Sequence, residues 1–204
     1  MTLTWYGHSC FLIETESARV VLDPYEPGSV PGLALPALTA DLVLCSHGHH
    51  DHCWADGVTL SGKPANCTVA AVDTFHDEVQ GAKRGTNRIH ILDFDGVRVV
   101  HLGDLGHVLT PEQAVAVGRP DVLLIPVGGY YTIDPAEAKR VTEQLQPKVI
   151  IPMHYRGAGF GYEEIGPVAE FTRLFDRVQT VPGSTVTWSP ELSGVIFPET
   201  PKQN

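Results

Sequence analysis

Short β-rich apolar runs recur along the chain, punctuated by glycine, proline and aspartate, a pattern that predicts packed sheets. Leu3 to Tyr6, Cys10 to Glu14 and Arg19 to Leu22 read as an early meander. A loop rich in Pro and Gly, from Pro24 to Pro36, leads to a strand from Asp41 to Ser46. Further strands are expected at Cys67 to Val72, Arg88 to Phe94, Val97 to Leu102, Asp121 to Val127, Lys148 to Pro152 and Thr185 to Trp188. Between two of them, Asp95-Gly96 predicts a type I′ hairpin, because both central residues of that turn need positive φ.

Three stretches have helical character. Thr110-Pro111-Glu112-Gln113 and Asp134-Pro135-Ala136-Glu137 each supply an N-cap, a proline at the first helical position and Gln or Glu three residues after the cap. Helices are therefore expected to start at about Thr110 and Asp134. A third, over about Pro167 to Arg177, follows from Val168, Phe171, Leu174 and Phe175 falling on one helical face.

The same order of parts occurs twice. Phe11 to Asp23 is a hairpin ending in Val-Val-Leu-Asp, followed by the strand that Asp41 opens; Ile89 to Asp104 is a hairpin ending in Val-Val-His-Leu-Gly-Asp, followed by the strand that Asp121 opens. Duplication is one reading, and a chance echo among many strands is the other. If the halves are related, each supplies one sheet with helices outside it. An α/β fold, a four-layer α/β/β/α sandwich, then follows from the need to cover both faces of each sheet.

At 204 residues and 43% hydrophobic, the chain is long enough for a sizeable core, and one domain over residues 1–204 is expected. Glu14 and Glu16 interrupt the start where an export signal needs an unbroken apolar stretch, and no apolar run approaches the ~18 residues of a membrane span. A formal charge of -10 works against attraction to phosphate backbones, so neither nucleic acid nor membrane is an expected partner. Cys10, Cys45, Cys53 and Cys67 are too sparse for a disulfide scaffold and are expected to be reduced, as in a cytoplasmic protein. Cys53, next to His52, reads as an inert thiol in preference to a metal ligand.

The densest chemistry is His47-Gly48-His49-His50-Asp51-His52, directly after the Asp41 to Ser46 strand. Four metal-binding side chains on one turn, His47, His49, Asp51 and His52, are hard to explain by packing. Gly48 is expected to let the backbone fold closely enough to aim them together. His76, Asp104 and His154 each stand just beyond the end of an apolar run, the edge where layered α/β proteins assemble sites. Counting donors gives His47, His49 and His76 for one ion and Asp51, His52 and His154 for a second, with Asp104 between. A nitrogen and carboxylate set without thiolate suits two divalent ions, Zn²⁺ best, with Mn²⁺ or Fe²⁺ also accommodated.

The order His-x-His-x-Asp-His, a separate His, Gly-Asp and a late His resembles the metallo-β-lactamase superfamily from about Leu3 to Tyr155. Trp5-Tyr6-Gly7-His8-Ser9-Cys10-Phe11, Leu22-Asp23-Pro24 and Pro152-Met153-His154-Tyr155 are similar to its small metal-dependent hydrolases related to the ascorbate-phosphate lactonases. The resemblance implies the metallo-β-lactamase fold and a dinuclear hydrolase of a small anionic ester, lactone or phosphodiester, working through a metal-bridging hydroxide. Asp51 and His154 would be its catalytic residues. It also implies that Asp23 supports the metal turn without binding metal, and it leaves His90 and His101 as competitors of His76 for the third histidine of the first ion. His8, His101 and His107 are candidates to orient the ligands. Arg84, Arg156 and Tyr155 are candidates to hold an anionic substrate. The competing functions are a silent metal-binding module and a di-iron redox protein, although di-iron relatives carry a glutamate where this chain has His49 and an added flavin domain.

Overall fold

Strand alternation decides which way each residue of the amino-terminal half faces. In the computed structural model, which describes residues 1–203, the half opens with β1 (Thr2–Gly7), β2 (Cys10–Glu14), β3 (Arg19–Leu22), β4 (Leu38–Ala40), β5 (Leu42–Leu44) and β6 (Val58–Leu60). Leu3 and Trp5, Phe11 and Ile13, Val20 and Leu22 join one buried cluster, whereas Tyr6, Cys10, Leu12 and Val21, pointing the other way, join a second. Both faces of this sheet are therefore covered.

The chain continues with β7 (Thr68–Phe75), β8 (Thr86–Phe94), β9 (Val97–His101), α1 (Pro111–Val117), β10 (Val122–Pro126), α2 (Pro135–Leu145), β11 (Val149–Met153), α3 (Ala169–Thr172), β12 (Val178–Val181), β13 (Thr185–Thr187) and β14 (Gly194–Pro198). Among the described residues the strands form a sheet ordered β13-β1-β2-β3-β5, a second ordered β12-β14-β11-β10-β9-β8-β7, and the ribbon β4-β6. β10, Val-Leu-Leu-Ile-Pro, is buried throughout, as a central parallel strand covered on both faces should be. The large core lies between the two main sheets and extends beneath α2 through Ala138, Val141 and Leu145. The α/β sandwich is the expected one. Over the first sheet, however, the outer layer is the Pro24 to Pro36 loop and the β4-β6 ribbon, with Tyr25, Val30, Leu33, Leu38, Ala40 and Val58 filling it.

The repeat read in the sequence has a counterpart in three dimensions. β2 and β3 form an antiparallel hairpin and β5 lies parallel to β3; β8 and β9 form an antiparallel hairpin and β10 lies parallel to β9. The same side chains tie each set. The Arg19 N–H donates to Asp41 Oδ2 at 2.8 Å and the Asp41 N–H to the Arg19 carbonyl at 2.8 Å. In the second half the Arg98 N–H donates to Asp121 Oδ2 at 2.8 Å, and the Asp121 N–H to the Arg98 carbonyl at 2.9 Å. Cross-strand pairs Glu14–Arg19 and Asp93–Arg98 occupy matching hairpin positions.

Asp95 and Gly96 both have positive φ, 50° and 87°, as the type I′ turn requires. α1 and α2 begin after Thr110 and Asp134, each closed by the expected capping box. The third helix falls short of expectation: α3 is only Ala169–Thr172, entered from Val168 without a side-chain cap. Leu174 and Phe175 continue as turns bonded to the carbonyls three residues back, and the apolar spacing is used to pack Phe175 against Phe171, the tilted rings 4.7 Å apart between centres. Among the described residues no helix is long and apolar enough to cross a membrane.

The cysteines depart from expectation. The turn after β5 folds back through His52 N–H and Cys53 N–H bonds to the His49 carbonyl, which brings the Cα atoms of Cys45 and Cys53 to 5.3 Å, and the two are joined as a disulfide. Cys10 and Cys67 are free. The bridge closes a loop of sequence separation 8 around the whole histidine turn. By loop closure alone, replacing both cysteines with alanine should lower stability by about 2.5 kcal/mol. Urea unfolding of the oxidised protein against the double variant measures this, and equal midpoints and slopes would show that the bridge contributes nothing.

Candidate metal centre

The ligand-type residues converge because strands of one direction end together. Antiparallel steps from β1 to β2 to β3, and the parallel step to β5, leave β1, β3 and β5 pointing the same way; the same count gives β7, β9, β10 and β11 a common direction. His8, Asp23, His76 and His154 are each the first residue after β1, β3, β7 and β11, and the His47 to His52 turn follows β5. Backbone bonds clamp the two sheets at this edge: the Arg88 N–H donates to the Ser46 carbonyl at 2.9 Å and the His154 N–H to the His8 carbonyl at 3.1 Å.

Asp104 lies at the centre. Its Oδ2 is 3.1 Å from His52 Nε2, 3.3 Å from His76 Nε2 and 3.2 Å from His154 Nε2. Although burial opposes ionisation, His154 and His52 hold the Asp104 carboxyl well below the usual carboxylate range. Its N–H donates to Asn87 Oδ1 at 2.9 Å, and Asn87 Nδ2 donates to Thr74 Oγ1 and to the Leu102 carbonyl. The close approach depends on Gly103, at φ 57°, where a Cβ would stand 2.4 Å from both Asn87 Oδ1 and Ser46 Cβ. The role expected of Gly48 is not found: open space surrounds that position.

Asp23 fixes the turn. It accepts from the Ser46 N–H at 2.7 Å, from Ser46 Oγ at 2.6 Å and from His52 Nδ1 at 2.8 Å. Burial raises the Asp23 pKa, but His101, His52 and Ser46 together bring it down to about 2. Because Ser46 Oγ donates to Asp23, it accepts from His47 Nδ1, 3.0 Å away. One carboxylate thus sets the tautomer of both His47 and His52 and turns each Nε2 inward. His47 Nε2 lies 3.0 Å from His49 Nδ1, and the His76 ring faces both at 4.8 and 5.4 Å.

Two groups of donors result, His47 with His49 and His76, and His8 with His52 and His154, while Asp104 stands against the second through His52 and His154 and against the first through His76. The first group opens to solvent through His49, and the second is buried. Asp51 Oδ2, 3.9 Å from His52 Nε2, accepts from the Tyr162 hydroxyl at 3.1 Å. His50, outside the cluster, pairs with Glu26.

His76 is the histidine brought to the cluster. His90 Nε2 is spent on the Cys45 carbonyl at 2.9 Å. His101 donates from Nε2 to the Ser9 carbonyl and accepts the Gly103 N–H at Nδ1, so it ties the sheets together beneath the ligands. His107 touches none of them; its Nε2 accepts the Phe75 N–H at 3.3 Å and anchors the backbone just before His76.

A cavity of about 320 Å³ over the cluster is lined by His49, Asp51, His76, Arg84, Asp104, Tyr131, His154 and Tyr162. Of the three residues expected to hold substrate, only Arg84 is in its wall, donating to the Tyr130 carbonyl at 3.0 Å with its guanidinium over the Tyr131 ring. Tyr155 is buried in the core against Trp5 and Phe160, because the residue after His154 faces the inter-sheet side. Arg156 bonds the Ile165 carbonyl away from the cavity. The sequence reading missed Tyr131, Tyr162 and Asp77. The Asp77 carboxylate accepts the N–H groups of Val79, Gly81, Lys83 and Arg84 and so winds the loop that carries Arg84. Its place beside His76 was the available signal.

Residues 2–154 match the family model described as a beta-lactamase superfamily domain. A UPF0173 metal-dependent hydrolase of Archaeoglobus fulgidus is 32% identical over 193 residues, covering 76% of this chain and 83% of the relative. One from Methanoregula boonei is 32% identical over 188 residues, with 76% and 82% covered. Among solved structures, a metallo-beta-lactamase superfamily protein from Thermotoga maritima is 38% identical with a TM-score of 0.79, covering 97% of each chain. The metallo hydrolase Igni18 from Ignicoccus hospitalis, 22% identical with a TM-score of 0.64 over 85% and 89% of the two chains, shares the fold. With its histidine turn, its clustered donors and these relatives, the chain belongs to the β-lactamase superfamily, among the UPF0173 metal-dependent hydrolases.

Proposed function

We propose that this chain is a dinuclear hydrolase, with zinc as its metal, that cleaves a small ester, lactone or phosphodiester bearing an anionic group. The observation that carries the reading is the convergence of His52, His76 and His154 Nε2 on the one oxygen Asp104 Oδ2 at 3.1 to 3.3 Å. With His52 Nδ1 committed to Asp23, its Nε2 faces that oxygen, a pairing that only a positive charge satisfies, either a second proton on the ring or a cation between the two. His52 Nε2 and Asp104 Oδ1 are buried without a hydrogen-bond partner among the described residues, as expected of atoms reserved for an ion. His47, His49 and His76 would hold one ion and Asp51, His52 and His154 the other, with Asp104 shared. Imidazole and carboxylate without thiolate suit Zn²⁺. The Thermotoga maritima protein is itself described as a candidate Zn-dependent hydrolase.

Bound divalent ions supply Lewis acidity and acidify a water enough for it to attack near neutral pH. The rest is the work of the chain. Asp51, which accepts from the Tyr162 hydroxyl and faces the cavity, would orient such a water. Burial and the neighbouring Asp51 push the Tyr162 phenol well above its ordinary pKa, so it stays a donor. Arg84, held against Tyr130 and Tyr131, offers a guanidinium to a carboxylate or phosphate on the substrate. A cavity of about 320 Å³ is at the small end of ligand pockets, which supports a compact substrate.

Three outcomes are expected. Asp104→Ala or His49→Ala should abolish hydrolysis in a lactone and phosphodiester screen and lower bound metal by elemental analysis; wild-type turnover in either variant would remove these assignments. Asp23→Ala, which touches no ion, should weaken metal affinity or activity by roughly 10- to 100-fold in a chelator competition and kinetic assay. Arg84→Met should raise KM for anionic substrates by about 10-fold and leave that for neutral analogues unchanged. Equal effects on both substrate classes would remove Arg84 from anion recognition.

A further inference from the structure

Among the described residues, His8 is the histidine whose two ring nitrogens are both buried without a hydrogen-bond partner. The side chain is only 1% exposed, yet among the described residues neither Nδ1 nor Nε2 makes a hydrogen bond. Buried polar atoms without partners are rare and costly, and two on one ring point to something the ring is meant to bind. Its surroundings define the ligand. His8 Nε2 is 3.4 Å from Asp51 Oδ2, its ring centre is 4.0 Å from that of His154 and 4.8 Å from that of His52, and donor atoms of the three histidines lie within 4.8 Å of one another.

The backbone is built to keep it there. Gly7 and His8 both have positive φ, 100° and 50°, in the turn between β1 and β2, a conformation uncommon for residues other than glycine. The His8 carbonyl accepts from Trp5 Nε1 at 3.0 Å and from the His154 N–H at 3.1 Å, so the turn is bolted to the residue that supplies another donor.

We propose that His8 is a direct nitrogen ligand of the buried ion. The inference rests on the two-ion reading above and deepens it. His8, His52 and His154 would hold the buried ion together with Asp51 and Asp104, five donors from the chain. The outer ion would keep four, His47, His49, His76 and Asp104. The outer set, with fewer donors and the solvent-facing His49 in the cavity wall beside Arg84, would leave its ion more open to substrate.

The test uses His8→Phe, which keeps an aromatic ring against His154 and removes both nitrogens, and His8→Gln, which restores one donor atom. Metal-free protein is loaded with Zn²⁺, bound metal is measured by elemental analysis after dialysis, and affinity by chelator competition. The expected result is two ions for the wild type, and for His8→Phe one ion lost or held at least 10-fold more weakly, with partial recovery in His8→Gln. Two ions of wild-type affinity in a folded His8→Phe would overturn the inference and leave the two-ion reading standing. One ion in the wild type would overturn both. Should His8→Phe fail to fold, a crystal structure of the Zn²⁺-loaded wild type decides: a His8 nitrogen at about 2.0–2.1 Å from the buried ion supports the ligand, and one beyond first-shell distance from it overturns it.

Discussion

A carboxylate sealed from water and ringed by three imidazole nitrogens is the constraint on which the rest of the molecule depends. Asp104 is 2% exposed, and burying its charge is costly without compensating positive charge close by. The surrounding structure is arranged to keep it ionised and in place: Asn87 takes its N–H, Gly103 permits its approach to Ser46, and His52, His76 and His154 aim at one of its oxygens. Such a geometry suits metal cations, in keeping with the metal-dependent hydrolases to which the chain is related.

The two halves of the chain reach this point by the same route. In each, a hairpin carrying a charged cross-strand pair is followed by a parallel strand preceded directly by an aspartate pinned to an arginine backbone. In each, an aspartate follows the second hairpin strand. Asp23 comes directly after β3 and stays beneath the turn, where it orients His52 and, through Ser46, His47. Leu102 and Gly103 separate Asp104 from β9 and carry it out to the ligands. A short difference in reach gives two matching aspartates different work, one holding histidines in their tautomers and one set among the histidine nitrogens.

Much of this was legible because the signals are local. The capping boxes at Thr110 and Asp134, the Asp95-Gly96 turn and the ligands after strand ends depend on neighbours in sequence. What escaped depends on distant packing. β4, β6 and β12 span only three or four residues, and Gly194 and Pro198, which disfavour strands, bound β14, so the local pattern does not mark them out. Tyr155 looked like a pocket residue from its place beside His154, but adjacent residues at a strand end face opposite ways, and its ring went to Trp5. Tyr162 reaches Asp51 from a loop far along the chain, a contact no periodicity encodes. The disulfide was unreadable for a similar reason: the spacing of Cys45 and Cys53 is uninformative until the histidine turn folds back on itself.

The proposed function depends on Asp104 being shared by two ions in one site. Electron paramagnetic resonance of protein loaded with two equivalents of Mn²⁺ tests it most directly, because two such ions sharing a carboxylate couple magnetically. The account predicts an exchange-coupled multiline spectrum that reverts to an isolated-ion signal in Asp104→Asn. Two independent six-line signals in the fully loaded wild type, or a single bound ion, would contradict it.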